Sequence, residues 1–180
     1  MFVVTSIAML RERTSGTLER LMSLPLARLD LLLGYGIAFA AVAAVQASIT
    51  AGVAFGLLGL DVQGPVWLVV LLAIANAVLG MSLGLFVSAF ARTEFQAVQF
   101  MPAVVFPQLL LCGLIQPRAH MEHILRAVSY ALPMTWAYDA LDHAVRGGAG
   151  SIVARDAAIV LGVTVVALAL GATTLRRRTA

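Results

Sequence analysis

The sequence predicts an all-α, polytopic membrane fold, and three observations carry that prediction. Hydrophobic residues fill 61% of the 180 positions, charged residues only 12%, and the mean hydropathy is +0.97. Soluble domains carry about 25% charge, so a water-soluble globular domain and a disordered chain are both excluded. Four charge-free runs approach or exceed the roughly 20 helical residues that cross a hydrocarbon layer. The arginines are divided unevenly among the segments that join those runs.

Residues 2–10 are apolar but make only about 14 Å of helix, and read as the last half of a span. A secretory signal fits poorly, with no basic segment before the run and no small-residue cleavage site after it. The expectation is that the chain is N-terminally truncated, or that Met1 is a mis-assigned start. Residues 11–30 follow as a polar segment. Thr14 or Ser15 is a candidate cap for a short amphipathic helix over 14–23, with Glu19 in its first turn. Leu18, Leu21 and Met22 make its apolar stripe, and Pro25 ends it near Ser23.

The complete spans are 31–60, 66–91, 95–115 and 157–175. The first would reach about 45 Å and must tilt, break or project. The third contains Pro102 and Pro107, each expected to kink it, and Gly113, Gln116 and Pro117 end it. In 116–156, Met121, Ile124, Leu125, Val128 and Leu132 form a helical stripe that Pro133 breaks. Tyr130, Trp136 and Tyr138 suit an interfacial belt, and 141–145 continues before the glycines of 147–150. This stretch is expected to be a re-entrant or interfacial segment.

Segments 11–30, 92–94 and 176–180 hold eight Arg against four acids, whereas 61–65 and 116–156 hold four Arg against five. Basic residues collect in cytoplasmic loops. The first set, including the C-terminal tail, is therefore expected in the cytoplasm and 116–156 outside.

Composition removes several chemistries. All 12 basic residues are Arg, so there is no Walker A lysine and no Schiff-base lysine. A single cysteine, Cys112, permits neither an internal disulfide nor a cysteine-based zinc site. Basic residues are too scattered for a nucleic-acid face. Gly80-Met81-Ser82-Leu83-Gly84 matches a nucleophile elbow, but an apolar helix is the wrong context. It reads instead as a Gly-x-x-x-Gly packing face, as do Gly52 and Gly56. His120, His123, Asp139, Asp142 and His143 are ligand types, read here as solvated side chains of an outer loop rather than a metal site. Gln46, Ser48, Thr50, Asn76, Ser82, Ser88, Gln96, Gln99 and Gln108 are the uncharged polar residues of the spans. No charge is expected inside a complete span, which disfavours an ion-coupled carrier. Gln96, Gln99 and Gln108, on the proline-bearing span, are the candidate path-lining residues.

Residues 11–21, Arg-Glu-Arg-Thr-Ser-Gly-Thr-Leu-Glu-Arg-Leu, followed by Pro25 and Gly34, resemble the signature of ABC-2 type transporter permeases. Leu114-Ile115-Gln116-Pro117 and the run from Ser129 to Leu141 resemble that family's extracellular segment before its last span. The family has six spans, and here the first and half of the second are absent. The resemblance implies a membrane subunit of an ATP-driven exporter in a bacterial plasma membrane, moving a hydrophobic or amphiphilic drug, antibiotic, lipid or glycan outward. It implies as partners an ATP-binding cassette subunit and a second permease copy or related permease, and no nucleic acid. The chain itself would be no enzyme and hold no cofactor, ATP being bound by the partner. Helix 14–23 would be the coupling helix, contacting the ATPase subunit through Arg13, Gly16, Thr17, Leu18, Glu19, Leu21 and Met22. Arg11, Glu12 and Arg20 would join its charged rim. The competing expectations are a non-transporting scaffold that recruits a cytoplasmic partner through the same helix, a secondary carrier, and a truncated form without activity.

Overall fold

The computed structural model describes residues 1–22 and 28–174, without the side chains of 18, 19, 22, 28–33 and 172–174. Pro25 and the 176–180 tail therefore lie outside the described residues. All regular structure among the described residues is helical. Helix α1 is Phe2–Thr14, α2 Thr17–Met22, α3 Arg28–Gly56, α4 Val66–Ser88 and α5 Glu94–Leu111. A 3-10 turn at Arg118–His120 leads to α6 His123–Ala131, α7 Pro133–Val145 and α8 Gly150–Thr174.

Among the described residues three helices are long and apolar enough to cross a membrane: Gly34–Gly56, Val66–Ser88 and Gly150–Gly171. The fourth expected span is α5, whose 18 residues reach about 27 Å. It is the most polar of the long helices by sequence, with Gln96, Gln99 and Gln108, and it runs unbroken through Pro102 and Pro107. Its start is built by a reciprocal cap. The Thr93 hydroxyl accepts from the Gln96 N–H, and the Gln96 side chain accepts from the Arg92 N–H, a close variant of the capping box.

Helix α4 is central and packs on α1, α3, α7 and α8. Its face against α1 is closely fitted. The Thr5 hydroxyl, fully buried, lies 3.2 Å from the Met81 carbonyl of α4. A Cβ added at Gly84 would sit 2.3 Å from both the Phe2 carbonyl oxygen and Thr5 Oγ1. Small residues thus let the α1 and α4 backbones approach, as membrane helices require where no hydrophobic force draws them together. Within this chain Gly52 and Gly56 have no such neighbour, since nothing lies within 4 Å of a Cβ at either. Helix α3 keeps one face on α4 through Ala43 and Ala47 and exposes Ile37, Val45 and Ile49, as a lipid-facing helix does.

Helix α8 corrects one expectation. It begins at Gly150, not at 157, and so takes Arg155 and Asp156 into a candidate span. Asp156 is fully buried between Val153 and Val160 on the face that α8 turns to the core. The helix tolerates this because Asp156 pairs with Arg155 at 2.8 Å, and the exposed Arg155 also stacks over Trp136. The long arginine side chain carries its charge away from the apolar core.

Candidate functional site

Two ends of the bundle and one cavity hold the residues singled out by sequence. At the first end, α1 continues through Arg11, Glu12, Arg13 and Thr14, so the expected helix 14–23 is shorter and starts at Thr17. The break has a local cause. Gly16 has φ +74°, a left-handed backbone that favours glycine, immediately after α1. Thr14 does not cap α2; its hydroxyl donates back to the Leu10 and Arg11 carbonyls inside α1. Ser15 and Thr17 share a hydroxyl hydrogen bond of 2.6 Å, and the Thr17 hydroxyl donates to the Glu12 carbonyl. Helix α2 is therefore strapped to the end of α1.

Within this end Leu21 is half-buried and Arg20 exposed, while the side chains of Leu18, Glu19 and Met22 lie outside the described residues. Arg13 is half-buried, and that burial lowers its pKa below the ordinary arginine value. Arg11 is engaged: its guanidinium grips both oxygens of Glu94 at 2.6 and 3.0 Å. The hydrogen bond from Arg11 holds Glu94 below the ordinary carboxylate pKa. A depressed carboxylate contributes above its unfolded pKa, and that contribution is lost as pH falls through the folded value. The pair is solvated, so the effect is small. Acid and Glu94→Gln should each therefore lower the midpoint of thermal unfolding only slightly.

At the other end, α6 and α7 form a helical hairpin. Ala140 and Ala144 of α7 pack with Val69, Leu72 and Val153, and Ala137 packs with Leu79 and Val160. Leu79 is about 20 Å along α4 from Val66 at 1.5 Å per residue. The start of α7 therefore sits deep beside the spanning helices, as a re-entrant segment must, and its end returns to hydrogen-bond Gln63 through the Val145 carbonyl. Ile124, Leu125 and Val128 of α6 are exposed, leaving the stripe directed away from the bundle.

Polar and aromatic groups fasten this hairpin. Arg118 pairs with Asp139 and lies over the Tyr130 ring, and Tyr130 contacts Trp136. Asp139, read from sequence as a solvated loop residue, is thus a buried partner of Arg118; an aspartate on the inner face of α7 has no water to face. Arg118→Met should leave that carboxylate buried and unpaired, costing about 3 kcal/mol. Hydrogen exchange of α6 and α7 should accelerate, and adding Asp139→Asn should recover much of the loss. Among the described residues no cluster of three metal-ligand types is found. Ser82, the centre of the elbow-like motif, is buried inside α4 and donates to the Leu79 carbonyl.

Between the ends lies an open groove of about 580 Å³, bordered by Met1–Val4 and by α3, α4, α5 and α7. Of the three candidate path-lining glutamines, Gln108 is on its wall, Gln96 belongs to the α5 cap, and Gln99 is exposed elsewhere on α5. Gln46, Thr50 and Asn76 complete the polar part of the lining. They were visible in the sequence as polar residues of the spans, but their convergence depends on how α3 and α4 pack.

The apolar helices of spanning length define a multi-pass membrane fold. A family profile described as ABC-2 type transporter matches residues 1–145, and the chain belongs to that family. It is 28% identical over 147 residues to the ABC transporter G family member 20 of Dictyostelium discoideum, covering 82% of this chain and 20% of that protein. It is 27% identical over 132 residues to the probable multidrug ABC transporter permease YbhS of Escherichia coli K12, covering 73% and 35% respectively. The inner membrane transport permease YhhJ of the same strain is 25% identical over 134 residues, 74% of this chain and 36% of that permease. The chain thus spans between a fifth and about a third of the length of these relatives. No solved structure matches it.

Proposed function

We propose that this chain acts as the permease part of an ATP-driven exporter, with hydrolysis in a separate ATP-binding subunit. That subunit docks on α2 at the cytoplasmic surface, through Leu21 with Leu18 and Met22 as further apolar anchors. Arg13, Gly16, Thr17 and Glu19 set the approach. The observation that carries this reading is mechanical. Helix α2 is strapped to α1 by the Ser15–Thr17–Glu12 bonds, and α1 is locked to α4 at Thr5 and Gly84. A displacement of α2 would therefore carry α1, and through the locked contact the central helix, without a flexible joint beyond the Gly16 turn. Close-packed helices transmit such a shift rather than absorb it.

In this proposal a second permease copy or related permease completes the transporter in a bacterial inner membrane. The α6–α7 hairpin lies on the outer side, the C-terminus is cytoplasmic, and Gln108 lines the route of a hydrophobic or amphiphilic molecule moving outward. The family fits this assignment, and the multidrug wording in the name of one relative agrees with an amphiphilic substrate. The test is purification of the chain from its native membrane. An ATPase should co-purify, and its turnover should change when this chain is removed or returned. Co-purification of partners without ATPase activity, or ATP turnover indifferent to the chain, contradicts the proposal and favours a scaffold.

A further inference from the structure

We infer that the outer end of the molecule opens along one seam, between α5 and α7, and that the ion pair of Arg118 with Asp139 is the latch that holds this seam shut. The inference rests on the permease reading for its physiological meaning and deepens it by naming where the route is gated.

Three observations carry it. The first is that α7 has two unlike faces. Ala137, Ala140 and Ala144 pack against Leu72 and Leu79 of α4 and Val153 and Val160 of α8. Small side chains let these helices approach closely. Further contacts bind α7 to the same neighbours. The Gln63 N–H donates to the Val145 carbonyl at 2.8 Å, a Cβ added at Gly64 would overlap the Ala144 carbonyl, and Arg155 of α8 lies over Trp136. Met134, Tyr138 and Leu141, at i, i+4 and i+7, form the other face. Met134 and Leu141 border the same groove as Gln108 of α5, and Tyr138 lies beside Gly113 at the end of α5. These side chains are large, and the contact of α5 with α7 is much narrower than that of α8 with α7.

The second observation is what crosses the seam. Arg118 follows α5, and its guanidinium pairs with Asp139 of α7 and covers the Tyr130 ring of α6. Both side chains of the pair are largely buried, and Arg118 Nη1 is buried without a hydrogen-bond partner among the described residues. A buried pair with a donor left unmet gains little net stability from closure, because separation returns both charges to water. It fixes a position and still releases at small net cost, which suits a contact that is made and broken. The third observation is a hinge. Gly113, between α5 and Arg118, has φ +103°, a conformation that favours glycine. Rotation there would free the end of α5 without unwinding either helix.

Cys112, the chain's single cysteine, reports the seam. It ends α5 one turn beyond the buried Gln108 and is 1% exposed. The full chain in its native membranes is treated with a membrane-impermeant maleimide, in intact cells and in inverted vesicles, and the rate of Cys112 labelling is measured. The unsubstituted chain should label slowly. Arg118→Gln and Asp139→Asn should each raise the rate in intact cells at least about tenfold, since one charge left unpaired in the closed state outweighs the roughly 1.4 kcal/mol that a factor of ten represents. The variant carrying both should label more slowly than either alone, because no unpaired charge remains, whereas a merely loosened fold would label faster. Arg155→Gln, which breaks the pair with Asp156 on the other side of α7, should leave the rate as it was. Unchanged labelling in both single variants, additive acceleration in the double variant, or equal acceleration by Arg155→Gln overturns the inference. The nearly isosteric Asp139→Asn decides the case if Arg118→Gln fails to accumulate. Labelling needs no ATP, so the result survives if only the ATPase partnership is wrong. Acceleration seen only in inverted vesicles would leave the latch standing and contradict the orientation used in the permease reading.

Discussion

Leu21→Asp should sever the chain from its ATP-binding subunit. The described residues of α2, Thr17–Met22, include few apolar side chains, so its grip on a partner depends on each of them. A carboxylate at the centre of such a contact would be desolvated without a counter-charge, and central anchors carry most of an interface's energy. Loss of a few kcal/mol lowers association by more than a hundredfold. Co-purified ATPase and ATP-coupled export should both disappear, while the chain still inserts and the α1–α4 contact persists. Retention of both association and export would remove α2 from the mechanism.

Gly84→Val should have a comparably large effect through a different link. A Cβ at this site meets the Phe2 carbonyl and Thr5 Oγ1 at 2.3 Å, and a backbone carbonyl cannot step aside cheaply. Overpacking of this kind costs about 1–3 kcal/mol. The displaced α1 also loses the hydrogen bond from Thr5 to Met81, worth about 0.6 kcal/mol or more in a membrane interior. The variant should keep its ATPase partner and lose transport, because the lever is detached from the helices it moves. Gly52→Val should leave the chain's own helix packing nearly unchanged, since its Cβ finds open space within the chain. Thermal unfolding and transport assays on both variants check this. Equal behaviour of Gly84→Val and Gly52→Val would refute the locked α1–α4 contact.

Those two glycine pairs show where the sequence was legible and where it was not. Both have the same spacing on apolar helices, and only one faces a neighbour. Spacing identifies a face that permits close approach; it does not say which face another helix occupies. The apolar runs marked α3, α4 and α8 because burial in lipid requires uninterrupted hydrophobicity over a fixed length. The beginning of α8 was misplaced because Arg155 and Asp156 look like a solvated boundary. Their mutual pairing, invisible to a hydropathy reading, lets the helix start seven residues earlier.

The Thr93-Glu94-Phe95-Gln96 stretch carried a readable signal that the path-lining expectation passed over. A threonine followed three residues later by glutamine is a capping pattern, and Gln96 serves that cap. Gln108 differs in lying deep in α5 with its amide turned to its own helix. In the polar segment, amphipathic spacing alone favoured a helix running through Gly16. The positive φ at Gly16 decides the boundary. The hairpin was legible as apolar stripe, proline and aromatic residues, whereas its depth required the contacts of Ala137 with Leu79 and Val160.

The most direct measurement concerns the side of the membrane on which α2 lies. Cys112, the chain's single cysteine, is replaced by alanine, and Arg20→Cys or Ala149→Cys is introduced at an exposed position. A membrane-impermeant maleimide is then applied to intact cells and to inverted vesicles. The account predicts labelling of position 20 in inverted vesicles alone and of position 149 in intact cells alone. Labelling of position 20 from outside intact cells would put α2 beyond the reach of any cytoplasmic ATPase and contradict the account.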